Sequence, residues 1–268
     1  MNHWLIVLFV LASLIFFTLL SVNPRGKTYV SFTTIPTRIE HIEPALKSLR
    51  NQSIKIDGII LNVPINYKRF SDPIVIPEFV KKYGVIVNKV SDDYGPATKI
   101  LGALNCSKVR HNDILIITDD DLEKTQWWAK NLVNRVNKDD RKIHSFVEKK
   151  LGKGIIWGYM GYAFRRKLLN YKDLLKFYHS LKSECFLVDD HMLTAYMHHK
   201  KIPIDNLSLR KPVNNVLKLK DSLSNDNGYD SRYRVSTNCR NLARRIHGVE
   251  FPFWCCRHCC KKGKPRTD

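Results

Sequence analysis

The stretch ILIITDDDLE, residues 114–123, runs from apolar and β-branched side chains straight into Asp119, Asp120 and Asp121. Three carboxylates so close repel one another unless positive charge sits among them. Alternate residues of an extended strand point the same way, so Asp119 and Asp121 are placed to share one cation. Mg2+ and Mn2+ prefer oxygen ligands and commonly bridge one or two carboxylates to substrate phosphates, which makes either one the expected cofactor. The alternative is an acidic loop that caps a helix starting near Thr125. A second acidic pair, Asp189 and Asp190, opens the stretch DDHMLTAYMHHKK. A carboxylate there can act as a general base toward a hydroxyl or as a helix N-cap. A third constellation, CCRHCC, gathers Cys255, Cys256, His258, Cys259 and Cys260 near the C-terminus. Its donors suit zinc, but adjacent cysteines make poor tetrahedral geometry within one loop. Disulfides, lipidation of a basic tail or an incidental cluster are the alternatives.

The elements around these residues follow from periodicity. TYVSFTTIP, residues 28–36, is β-branched and aromatic and ends at a proline, as a strand running into a loop does. Helical spacing follows at Ile39, Ile42, Leu46 and Leu49. IDGIILNVP predicts a second strand and GVIVNKVS, residues 84–91, a third. PATKILGALNC opens a helix with proline and carries an apolar face at Ile100, Leu101 and Leu104. DILIIT is then a fourth strand. Strands alternating with helices at this spacing predict a mostly parallel α/β sheet, in which ligands bind beyond the carboxyl ends of the strands. The three aspartates fall there. In the second half, TQWWAKNLVNRVNK predicts a helix with Thr125 as N-cap, and residues 154–166 a strand-like run punctuated by Gly158 and Gly161. Beyond Lys211 the chain turns polar and basic, with no clear period.

Of 268 residues, 44% are hydrophobic and 26% charged, a globular composition that excludes wholesale disorder. The 45 Lys and Arg outnumber 25 acids, for a net charge of +20. Such a surface favours polyanions: nucleic acid, anionic lipid headgroups or phosphorylated substrates. Residues 4–22 carry no charge, and as a helix they reach roughly 30 Å, the thickness of a hydrocarbon core. Without a clear basic n-region or cleavage site, this reads as an uncleaved single-pass anchor rather than a signal peptide. Arg25 and Lys27 follow the span, so the positive-inside rule leans toward a cytosolic catalytic portion. Sequons at Asn51, Asn105 and Asn206 point the other way without deciding the matter.

The order of SFTTIPTR, DDYGPATK, ITDDD, GYMGYAFRR and VDDHMLTAYM resembles the GT-A-fold nucleotide-sugar glycosyltransferases, most of all the family-2-type enzymes of bacteria and large DNA viruses. The resemblance spans residues 29–203. It implies a metal-dependent transferase that moves a sugar from a nucleotide-sugar donor to a hydroxyl acceptor, with inversion. It further implies that Thr34, Pro36 and Arg38 cradle the nucleoside, with Asp93 near the base or ribose and Lys99 near the diphosphate. Asp119 and Asp121 would hold Mn2+ or Mg2+, while Asp120 contacts ribose or shapes the turn. Asp190, with Asp189 close behind, occupies the place of the general base, though the pair reads Asp-Asp where the family has a Glu-Asp-like pair. Gly158 and Gly161 would let backbone approach the sugar. Trp127, Trp128 and Trp157 could stack on sugar faces, against a default of core packing.

The expected organisation is an anchor at 1–23, a linker at 24–27, a GT-A-like catalytic domain at 28–235 and a basic, Cys-rich tail at 236–268. From Arg240 onward eight Lys and Arg face two acids, which suits contact with anionic membrane. Two other readings compete. A nucleotidyltransferase would use similar strand-end acids, but TTIPTR lacks the glycines of a phosphate-cradling loop. A basic nucleic-acid-binding protein with a Cys-rich tail would explain the charge, yet leaves the aspartates facing phosphate.

Overall fold

In the computed structural model, which describes residues 26–147, 154–208, 212–217 and 228–251, the apolar runs of the first half form parallel strands. β1 (Thr28–Thr33) pairs with β2 (Gly58–Pro64), β2 with β3 (Val85–Val90), and β1 on its other side with β4 (Ile114–Ile117). Parallel pairing needs crossovers. These are supplied by α1 (Glu43–Arg50), α2 (Glu78–Lys82) and α3 (Thr98–Leu104). After β4 the chain leaves the sheet as β5 (Leu122–Lys124), which pairs antiparallel with β9 (Val213–Val216) as a separate ribbon. It returns through α4 (Trp128–Lys138) to β6 (Ile143–Phe146). β7 (Tyr162–Arg165) lies antiparallel between β4 and β6, and β6 pairs in parallel with β8 (Ile204–Leu207). The resulting order is β3-β2-β1-β4-β7-β6-β8.

Both faces of this sheet are covered, which is why its strands read as continuous apolar runs. Val30, Phe32, Ile59, Leu61, Ile114 and Ile116 pack with Leu46 and Leu49 of α1 and Trp128 and Leu132 of α4. Their strand neighbours Tyr29, Ile60, Leu115 and Ile117 pack on the opposite side against α3. Beyond α3 that layer contains α5 (Tyr171–Ser180), α6 (Asp189–His199) and α7 (Gly228–His247). A disulfide, Cys185–Cys239, ties the segment just before α6 to α7.

Several expectations are corrected. Thr125 does not cap α4 with its side chain: Trp127 holds the N-cap position, and Thr125 contributes its carbonyl to the Trp128 N–H at 3.0 Å. Of the run 154–166 only Tyr162–Arg165 is a strand, because Gly158–Met160 turns as a 3-10 helix before it. The boundary expected at 235 falls inside α7, and Cys239, assigned to the tail, is buried in the core. The anchor at 4–22 and the cluster from Cys255 to Cys260 lie outside the described residues. Among the described residues no helix is long and apolar enough to cross a membrane.

Gly161 is fixed by this packing. Its φ is +97°, and an added Cβ would lie 2.5 Å from Trp128 Cζ2. Trp128 cannot retreat, being fully buried with its indole N–H donated to the Met160 carbonyl at 2.8 Å. Gly161→Ala combines backbone strain with overpacking and is expected to cost roughly 2 kcal/mol or more. Thermal or denaturant unfolding measures this; a variant as stable as wild type would contradict the packing.

Candidate active site

The bend that follows β4 sorts the three aspartates. Asp120 turns inward, its side chain 4% exposed, while Asp119 and Asp121 keep 32% and 22%. All three line a cavity of about 360 Å3 at the carboxyl edge of the parallel strands. Asp120 accepts a hydrogen bond from the Thr34 hydroxyl at 2.6 Å and lies 3.1 Å from the Arg38 guanidinium. The same Arg38 nitrogen reaches Asp121 Oδ2 at 2.8 Å. Burial raises the Asp120 pKa to about 6 against the lowering pull of Arg38. Burial and the neighbouring Asp119 charge likewise raise Asp121.

Asp119 has a different partner. Its Oδ1 accepts from Lys99 Nζ at 2.6 Å, and the same ammonium meets Asp189 Oδ2 at 2.8 Å. Lys99 is 2% exposed. Burial alone would lower its pKa, but Asp119, Asp189 and Asp190 outweigh that and raise it. For Asp119 burial pushes upward, and the Lys99 charge and hydrogen bond bring the pKa down. Helix α3 presents Lys99 here because its backbone is anchored from below. Ser31 of β1 donates to the Lys99 carbonyl at 2.6 Å, and the Asn62 amide of β2 donates to Ser31 Oγ at 2.7 Å.

Asp189 and Asp190 open α6 and separate into two roles. Asp189 is bound to Lys99, whereas Asp190 accepts from a backbone group, the Gly158 N–H, at 2.9 Å. An added Cβ at Gly158 would collide with Asp190 Oδ1. Glycine is therefore required for that approach. Burial, then the Asp189 charge, raises the Asp190 pKa to about 8.

Thr34, Arg38, Lys99, Asp93 and the five site aspartates thus meet in one cavity, with Gly158 against Asp190. Pro36 and Gly161 stay outside the cavity lining. Pro36 occupies the second position of a turn closed by Arg38 N–H to Ile35 O at 3.0 Å, so it shapes the loop that delivers Arg38. Gly161 serves the Trp128 contact. Asp93 lines the cavity, but its carboxylate is occupied by the N–H groups of Lys68 and Gly95, at 2.8 and 2.7 Å. Trp128 is core, and Trp157 is half-buried beside Tyr159 at 5.8 Å.

Two site residues escape sequence reasoning. Tyr67, just beyond the carboxyl end of β2, donates its hydroxyl to the Thr34 carbonyl at 3.0 Å. Its place after a parallel strand was the available signal. Lys124 is buried, donates to the Tyr159 carbonyl at 3.0 Å and lies 5.4 Å from the Trp128 ring centroid. Burial lowers its pKa to about 7. A lysine ending an acidic loop carries no signal of that kind.

The residues fit a hard divalent cation. Asp119 and Asp121 offer oxygen donors on one side of the chain, each with only one oxygen in an ion pair. Among the described residues no three His, Cys, Asp or Glu groups are placed to hold a metal on their own. That arrangement suits a metal completed by substrate phosphates and water.

No protein-family model matches the sequence, nor does any curated protein. Solved structures do match the fold. Glucosyl-3-phosphoglycerate synthase from Mycobacterium tuberculosis, crystallised with Mn2+, uridine-diphosphate-glucose and phosphoglyceric acid, superposes with a TM-score of 0.51 at 13% identity. The match covers 85% of this chain and 81% of that one. Its complex with phosphoglyceric acid alone gives a TM-score of 0.50 at 14% identity over 85% and 82%. At such identity the likeness establishes the fold: this chain has the GT-A-type α/β architecture.

The Asp190 environment makes a pH prediction. The groups facing it are Asp189, Lys99 and Asp119, with the Gly158 N–H. A carboxyl raised in the folded state binds its proton more tightly than in the unfolded chain. Its contribution to stability is complete below about pH 4 and is lost as pH rises through about 8. Asp190→Asn removes that loss, so relative to wild type it gains stability between pH 5 and 9, as melting temperatures across that range will register. Parallel curves for the two proteins would refute the raised pKa.

Proposed function

We propose that this protein is a metal-dependent glycosyltransferase that moves a sugar from a nucleoside-diphosphate donor to a hydroxyl acceptor, with inversion. The observation that carries this is the sorting at the end of β4. Two partly exposed carboxylates face a cavity at the carboxyl edge of a parallel sheet, Asp119 held by Lys99 and Asp121 by Arg38, while Asp120 between them is turned inward to Thr34. The fold likeness supports it, since the synthase named above was crystallised with Mn2+ and a uridine-diphosphate sugar. Asp119 and Asp121 would hold Mn2+ or Mg2+. When bound, that ion supplies positive charge to the diphosphate leaving group.

The chain's own residues account for the rest. Arg38 and Lys99 keep the carboxylates oriented and limit their repulsion. Asp189 is engaged by the Lys99 ammonium, which it shares with Asp119, and this leaves Asp190 as the general base. As the acceptor oxygen bonds to the anomeric carbon, its proton passes to Asp190 and the bond from that carbon to the diphosphate oxygen breaks. A base with a pKa near 8 is strong, and because the carboxylate is its minority form at neutral pH, turnover should rise with pH toward 8.

Screening nucleotide sugars for Mn2+-dependent release of nucleoside diphosphate by the full chain tests the reading. Turnover of one donor, reduced at least a hundredfold in Asp121→Asn with the fold intact, is the expected outcome. Folded protein that neither binds nor turns over any donor, with or without metal, would sink it.

We further infer a protein anchored by residues 4–22, with its catalytic part in an oxidising compartment. The flanking charges favour the cytosolic side, but the Cys185–Cys239 bond supports the opposite one, because reducing compartments keep such pairs as thiols. In protein isolated from its native host, Cys185 and Cys239 should resist alkylation after unfolding until a reductant is added. Two free thiols there would return the catalytic part to the cytosol.

A further inference from the structure

The β5–β9 ribbon has a second recess beside it, separate from the catalytic cavity. Leu122 and Val216 line the catalytic cavity, whereas Glu123, Lys124 and Asn214 line an open groove of about 870 Å3. Trp127 stands in that groove, 50% exposed, next to a fully buried Trp128. Burying Trp128 fixes the start of α4, and the Trp127 backbone is held further by its carbonyl, which accepts from the Asn131 N–H and side-chain amide at 3.0 and 2.9 Å. The Lys130 ammonium sits 5.3 Å from the Trp127 ring centroid. A large indole is thus displayed to solvent on a rigid support. Such a fixed aromatic face is a surface on which a ligand can stack.

The surroundings define what would cover it. The groove wall carries Lys47, Asn51 and Gln126, whose side chains have no hydrogen-bond or ion-pair partner among the described residues. Glu43 and Glu123 add carboxylates. We propose that this groove is a carbohydrate-binding site, in which a pyranose packs its C–H face on the Trp127 indole while its hydroxyls bond to the amides, carboxylates and ammonium around it. An apolar platform ringed by mixed donors and acceptors matches a sugar, whose two sides differ in that way. The acids disfavour nucleic acid, and a concave polar wall does not fit a lipid surface. The site stands apart from the transfer reaction and does not depend on it.

The test uses the full chain on an array of defined neutral oligosaccharides, followed by calorimetry with the best ligand. Wild type and Asp121→Asn are expected to bind the same glycans. Trp127→Ala, a change at a half-exposed position, should keep its melting temperature and its nucleoside-diphosphate affinity while losing at least tenfold in glycan affinity. The paired change Asn51→Ala and Gln126→Ala should weaken binding without touching the indole. Absence of any glycan binding by wild type, or affinity unchanged in Trp127→Ala, overturns the proposal. So does binding to anionic vesicles in place of glycans that is lost in Trp127→Ala, which would reassign the indole to a membrane contact.

Discussion

One buried ammonium holds the catalytic half of this molecule in register. Lys99 Nζ lies 2.6 Å from Asp119 and 2.8 Å from Asp189, so it joins the end of β4 to the start of α6 through the first residues of α3. Removing an ammonium from water costs several kcal/mol unless close, well-placed charges repay it. Asp119 and Asp189 both accept from Lys99, so the ammonium bridges two carboxylates that would otherwise be linked by nothing but repulsion. The backbone beneath is equally constrained, because Ser31 and Asn62 hold the Lys99 carbonyl from the two central strands. The pair of elements that carry the acids therefore cannot drift apart without exposing an unpaired buried charge.

Local balance, rather than the net charge of +20, governs the cavity. Exposed charges beyond about 10 Å are screened by salt. Within reach of one another are Asp119, Asp120, Asp121, Asp189 and Asp190 against Arg38, Lys99 and Lys124. Burial has pushed Lys124 to about 7, so the positive side is weaker than its residue count implies. Burial first, and then the neighbouring carboxylates, raise the pKa values of Asp120, Asp121 and Asp190. A local excess of carboxylates of this kind is what a bound cation would offset.

How much of this could be read from the chain depends on how local each cause is. An apolar run ending in acids marks a strand end, so the arrival of Asp119, Asp120 and Asp121 at that edge was legible, whereas the inward turn of Asp120 toward Thr34 and Arg38 depends on distant partners and was not. The opening of α6 by an acidic pair was legible because carboxylates favour the first turn of a helix. The pairing of Lys99 with Asp189 crosses 90 residues of chain and has no local signature. β6 was missed because His144 and Ser145 sit in it, buried and bonded to Asp205 and to the Trp157 N–H, where sequence shows only polar residues. Nor did any period announce α7, whose buried residues Cys239, Leu242 and Ala243 are sparse among basic ones.

The reversal of β7 converts a nucleotide-type sheet into this particular site. A parallel strand beside β4 would begin at the far edge and deliver its loop to the wrong end. Because β7 runs antiparallel, its first residue, Tyr162, pairs with Ile117, the last of β4. The turn that precedes it, Gly158–Met160, therefore stands over the same edge as the three aspartates. From there the Gly158 N–H reaches Asp190, and Gly161 lets the chain swing past Trp128 into the strand. The two glycines do different work in one turn. One admits a carboxylate and the other admits an indole, and the position of Asp190 rests on both.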